Sequence, residues 1–155
     1  MPKEEPIHPP VKYRYLDYRL PNSRVIFLPV IHVELTSETQ EFTAIGLLDS
    51  GATTSFIPYE IAEILEILPK QRRCIEVETA GGSCGFFPVT LKKLSLLAGG
   101  RKYSEFPDIN LLVPAPERDL PYVILGRDYV FKRFHITFKE NIQKFELQHH
   151  KWDKQ

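Results

Sequence analysis

Residues 47–56 read LLDSGATTSF, and the fold turns on them. The run that leads in, EFTAIGLLD (41–49), is strongly apolar and ends on a carboxylate, after which Ser-Gly-Ala turns the backbone at once. Asp, Ser and Gly are ordinary turn formers, so the triplet alone says little. Its approach says more: an apolar strand delivers Asp49 to the floor of something buried and not to a surface loop. Far downstream a second apolar strand ends in glycine, YVILGRD (122–128).

Working outward, RVIFLPVIHVEL (24–35) reads as a strand rich in β-branched and aromatic residues, with Pro29 marking an edge or a bulge. TSETQ (36–40) is a polar turn, so 24–35 and 41–49 form a hairpin. In VKYRYLDYRL (11–20), Tyr13, Tyr15 and Tyr18 interleave with Lys12, Arg14, Asp17 and Arg19. Aromatics beside cations can stack on nucleobases. The stretch is short and carries an acid, which favours a strand docking on the body.

On the other side, Pro58 opens the helix YEIAEILEIL (59–68), with Ile61, Ile64, Leu65 and Leu68 on one face and Glu60, Glu63 and Glu66 on the other. Pro69 ends it. Residues 72–91 form two extended arms around GGSCG (81–85), a mobile hairpin tip centred on Ser83 and Cys84. Cys74 reads as a small buried hydrophobe. LKKLSLL (91–97) is a further strand, closed by the turn AGGRK. After the loop-and-strand region 103–121, Tyr122–Leu125 is a buried strand, Gly126 allows a sharp turn, and Asp128 caps a short helix through Phe134. HITF (135–138) and IQKFEL (142–147) close the chain as a last hairpin.

Length and composition bound the rest. A chain of 155 residues, 43% hydrophobic and 26% charged, makes one globular domain. Thirteen prolines exclude a long helical bundle, and the all-β class is favoured. Residues 1–22 are expected as a Pro/Tyr-rich arm, 23–148 as the domain and 149–155 as a polar tail. Twenty basic and twenty acidic side chains balance, which argues against a nucleic-acid partner. No apolar run approaches the ~20 residues of a membrane helix, and MPKEEPIHPP has no secretory core. Two cysteines fit a reduced, cytoplasmic setting. No metal or cofactor is expected: His32 stands alone in a strand, the helix acids lack a histidine at ligand spacing, and His149 and His150 lie in the tail.

With these residues in view, the sequence resembles the retropepsin-like aspartic proteases, the single-lobe family that includes the retroviral enzymes, and is most similar to cellular prokaryotic members. The resemblance rests on Leu47-Leu48-Asp49-Ser50-Gly51-Ala52 as catalytic loop, Gly81-Gly82-Ser83-Cys84-Gly85-Phe86 as flap, and Ile124-Leu125-Gly126-Arg127-Asp128 before the C-terminal helix. It spans roughly residues 25–147 in the family's order. It implies a closed β-barrel lobe and peptide hydrolysis by two carboxylates that share one proton. Only one Asp-Ser-Gly exists in the chain, so the second carboxylate is Asp49 of another copy and the protein is a two-fold homodimer.

The resemblance also implies roles for the neighbours. Asp49 is catalytic. Ser50 holds the two loops in register across the axis, Gly51 lets backbone approach the dyad, and Ala52 and Thr53 line the cleft. Gly81, Gly82, Ser83, Cys84 and Gly85 fold over an extended peptide bound as an added strand. Gly126, Arg127 and Asp128 form the structural motif. Viral relatives carry an acid where this chain has Thr53, so the partner of Arg127 is open between Asp128 and Asp108. One alternative is a non-catalytic relative that serves as a dimerisation or peptide-binding module. A generic β-barrel adaptor with a chance Asp-Ser-Gly turn is less well supported. A serine hydrolase on Ser50 or Ser83 is disfavoured, because neither lies in a Gly-x-Ser-x-Gly elbow between strand and helix.

Overall fold

A computed structural model describes residues 9–70, 75–79 and 82–149. Eleven strands dominate these residues: β1 (Val11–Arg14), β2 (Leu16–Arg19), β3 (Val25–Leu28), β4 (Val30–Thr36), β5 (Glu41–Leu48), β6 (Ile75–Thr79), β7 (Gly82–Ala98), β8 (Arg101–Pro114), β9 (Val123–Leu125), β10 (Phe134–Lys139) and β11 (Lys144–His149). Two short helices, α1 (Tyr59–Ile64) and α2 (Val130–Arg133), interrupt them. The all-β expectation therefore holds.

Pro29 splits the strand expected over 24–35. Lacking an N–H, it parts β3, which pairs with β2, from β4, which pairs with β5 and β7. The β4–β5 hairpin is in the expected place, with Thr36 opposite Glu41 and the Ser37 hydroxyl accepting the Gln40 N–H at 3.0 Å. The central sheet runs β6-β7-β4-β5-β9, with β8 on β7. Its β5–β9 pair is parallel. A second sheet, β1-β11-β10, draws Tyr15 into the core.

Alternation along the strands builds that core. Val33 and Leu35 of β4 and Phe145 and Leu147 of β11 are buried with Leu91, Leu96 and Ile109 of the long β7–β8 hairpin. Residues 82–98 form one 17-residue strand, where the sequence suggested two. At its end Gly99 and Gly100, with φ of 56° and 77°, make the two-residue turn between paired Ala98 and Arg101.

Helix α1 stops at Ile64, four residues short of the expected end. Glu66 adopts φ 57°, Ile67 N–H donates to Ala62 O at 3.1 Å and Glu66 N–H to Glu63 O at 3.0 Å, a Schellman closure without its usual glycine. The Glu66 carboxylate accepts from Thr39 Oγ1 at 3.0 Å, which ties this end to the β4–β5 turn. Leu65 and Ala62 are buried, whereas Ile64, expected to face inward, is exposed. At the other end Asp119 caps from a distance, accepting Tyr59 N–H at 2.6 Å and Glu60 N–H at 3.3 Å.

Candidate active site

Strand β5 carries Leu48 into the core, and Asp49 emerges at its end, half-buried. The backbone there is held from two sides: Leu48 N–H donates to Pro29 O at 3.1 Å, and Asp49 N–H to Leu125 O at 3.0 Å, which adds a rung to the β5–β9 ladder. The chain then turns tightly. Ala52 N–H donates back to Asp49 O at 3.2 Å, and Gly51 N–H donates to Asp49 Oδ1 at 2.9 Å, orienting the carboxylate. A Cβ at Gly51 would stand 3.2 Å from that oxygen. Ala52 is half-buried in the same turn, and Ser50 and Thr53 are exposed beside it.

The loop after Asp49 is stitched to the stretch after β9. Arg127 N–H donates to Ala52 O at 2.8 Å, and Phe56 and Ile124 exchange two backbone bonds of 2.9 Å. A Cβ at Gly126 would lie 2.5 Å from Thr54 O and 2.8 Å from Ala52 O, so only glycine lets the two segments touch. Ser55, 2% exposed, is the knot. Its N–H and hydroxyl donate to Asp128 at 2.9 Å and 2.6 Å, and its Oγ accepts Gly126 N–H at 3.0 Å.

Asp128 is thus not the cap expected for α2. Tyr129 holds the N-cap position, without a side-chain cap bond, and the Asp128 carboxylate is engaged by Ser55. Neither candidate partner of Arg127 pairs with it: among the described residues Arg127 makes no ion pair, and Asp108 sits on β8 with φ 48°. Ser55 was not foreseen; its only mark in the sequence is a polar residue just ahead of the apolar pair Phe56-Ile57.

Of the residues expected to form the flap, Gly82–Phe86 lie on the β6–β7 hairpin, whose turn is not at Ser83–Cys84. Thr79 pairs with Gly82, Glu78 with Ser83, Val77 with Cys84 and Glu76 with Gly85, so Ser83 and Cys84 are paired strand residues and not the turn. Periodicity fixes neither register nor tip, which explains the displacement. Gly81 and Cys74 lie outside the described residues. At the root of this hairpin Phe86 packs on Phe56, ring centroids 5.0 Å apart, joining β7 to the loop that follows Asp49.

Tyr122 also belongs to this neighbourhood. Burial pushes its hydroxyl above the ordinary tyrosine value, helped by Tyr18 and by the charge of Asp49, and its ring meets Tyr18 edge-on at 5.5 Å. His32 is exposed on β4, and His149 packs at 4.4 Å on Phe134. Among the described residues no group of three His, Cys, Asp or Glu is placed to hold a metal, and no helix is long and apolar enough to cross a membrane.

An Asp-Ser-Gly turn at the end of β5, its Asp half-buried, braced by a Leu-Gly-Arg segment and joined through Phe56 to the root of a β-hairpin, defines a single acid-protease lobe of the retropepsin-like fold. The aspartyl protease family model matches residues 34–129, which span this whole arrangement, and the chain belongs to that family. A retropepsin-like aspartic protease from Rickettsia conorii superposes with a TM-score of 0.55 at 18% identity, over 88% of this chain and 96% of that one. The protease of EIAV, in complex with the inhibitor HBY-793, gives a TM-score of 0.43 at 27% identity, over 68% and 86%. No curated protein matches the chain.

Proposed function

We propose that the protein is a homodimeric aspartic endopeptidase, with one Asp49 from each copy forming the catalytic pair. The supporting observation is the Asp49 turn itself: one carboxylate, oriented by the Gly51 N–H, at the end of a strand in a chain with a single Asp-Ser-Gly. Two such carboxylates a few ångströms apart cannot both ionise, so the pair keeps one proton. The ionised member takes a proton from water as its oxygen attacks the scissile carbonyl carbon. The protonated member gives its proton to the carbonyl oxygen. Collapse of the tetrahedral diol then breaks the C–N bond as the leaving amine is protonated.

In this reading Ser50 and Thr53, exposed beside Asp49, meet the second copy or the substrate. The peptide lies extended between the Asp49 turn and the β6–β7 hairpin, which closes over it and excludes water. Gly82, Ser83, Cys84 and Gly85 contribute backbone to that cover. Incubating the purified protein with a diverse peptide library from pH 3 to 7, with cleavage read by mass spectrometry, tests the reading. Endoproteolysis lost in Asp49→Asn supports it; no cleavage at any pH, or cleavage undiminished in Asp49→Asn, overturns it.

A further inference from the structure

We infer that the outer face of the β2–β3 hairpin is a contact surface for a second copy of this chain, self-complementary about a two-fold axis. Register puts Leu16 opposite Leu28, Asp17 opposite Phe27, Tyr18 opposite Ile26 and Arg19 opposite Val25. Side chains alternate between faces, so Leu16, Tyr18, Ile26 and Leu28 share the face on which Tyr18 meets Tyr122. The other face carries Asp17, Arg19, Val25 and Phe27, all exposed, with Val25 at 41% and Phe27 at 47%. A hairpin of two four-residue strands, with apolar side chains on both faces, is not self-sufficient in water.

The pattern of that outer face selects its occupant. One strand contributes an acid and a base two residues apart, and the other contributes two apolar side chains directly opposite them. Place a second hairpin face to face with the first, about a two-fold axis in the plane of contact and perpendicular to the strands. Asp17 then meets Arg19 of the second copy, twice, and Phe27 meets Val25 of the second copy, twice. A contact of this kind, in which i meets j and j meets i, is what a two-fold dimer requires. Among the described residues Arg19 makes no ion pair, and its Nη1 donates to Ser23 O at 3.4 Å.

Position points to the same occupant. The hairpin runs through Pro29, whose carbonyl accepts Leu48 N–H, directly to the residue before Asp49. The hairpin thus lies next to the Asp49 turn, where the homodimeric reading above brings the second copy, and the inference builds on that reading. The four outer-face residues fall short of the ~20–30 per side of a standard interface, and in the homodimeric reading the Asp49–Thr53 turn supplies the adjoining part.

Charge exchange tests it. Sedimentation over a concentration series is compared for the wild type, Asp17→Arg, Arg19→Asp and the double variant, with circular dichroism to confirm the fold. Each single change sets like charges together and should weaken self-association at least about tenfold, while the double variant restores the pairing to within about threefold of wild type. Single variants that associate normally, a double variant no tighter than the singles, or a wild type that stays monomeric would overturn the inference. Peptide cleavage, assayed in parallel, separates the two proposals. Normal association in the single variants with Asp49-dependent cleavage removes the hairpin and keeps the protease. Charge-swap rescue without any cleavage keeps the hairpin and removes the protease.

Discussion

Ser55 Oγ lies 2.6 Å from Asp128 Oδ1, a bond between residues 73 positions apart that locks the turn after Asp49 to the segment after β9. The same hydroxyl accepts Gly126 N–H, so one buried oxygen makes both bonds between the two segments. Ser55→Ala leaves a carboxylate and a backbone N–H without this partner. It should lower stability by about 2–3 kcal/mol in urea denaturation. Ser55→Thr, which keeps the hydroxyl, should recover part of that loss.

The two glycines near Asp49 should respond differently to alanine. At Gly126 the new methyl meets backbone atoms of Thr54 and Ala52, which cannot give way, and Gly126→Ala should destabilise by about 3 kcal/mol or more. At Gly51 the neighbour is the Asp49 carboxylate, which can rotate. Gly51→Ala should therefore melt within a few degrees of wild type while peptide cleavage drops about a hundredfold through the displaced carboxylate. Thermal melts and initial rates on one peptide distinguish the two cases.

Asp49→Asn keeps an oxygen to accept Gly51 N–H, so the fold should be retained while cleavage falls by at least about ten-thousandfold. Equal melting temperatures with a large rate difference would set a chemical role apart from a structural one.

Asp119 accepts the first two N–H groups of α1 from outside the helix. Asp119→Ala should cost about 1 kcal/mol, the usual worth of an N-cap, seen as a shift in denaturation midpoint without a change in slope.

Alkali should weaken the β1–β11 side of the molecule. Burial, aided by the Glu140 carboxylate that accepts the Tyr15 hydroxyl at 2.8 Å, pushes the Tyr15 pKa up to about 12, and burial does the same for Tyr103. The folded state holds these protons longer than the unfolded chain, whose tyrosines ionise near 10. The stabilisation is complete below pH ~10 and is lost as pH rises through the folded values near 12. Unfolding free energy measured at pH 8 and pH 11 should fall, and fall less in Tyr15→Phe.

Local chemistry is what the sequence made legible. TSETQ between two apolar runs marked the β4–β5 hairpin, and the apolar approach to Asp49 marked the strand that ends in the candidate site. Reading failed where distant partners decide. Helical periodicity continues through Leu68, yet Glu66 turns left-handed where Thr39 meets its carboxylate. Asp128 looked like a local cap because Ser55, 73 residues earlier, gives no sign of reaching it. In the β6–β7 hairpin the glycines suggested a tip at Ser83 and Cys84, but both are paired to β6. Each miss is a case of tertiary contact overruling a local signal.

Strand β7 has a consequence for how such a lobe tolerates change. Its first five residues pair with β6, and the same strand goes on to pair with β8 and β4 in the core. Lengthening the tip beyond Thr79 and Gly82 disturbs no register. One residue added between Phe86 and Leu91 would invert every later side chain of the strand, sending Leu94 and Leu96 outward. The β6–β7 hairpin is thus free to diverge at its crown and frozen along its stem.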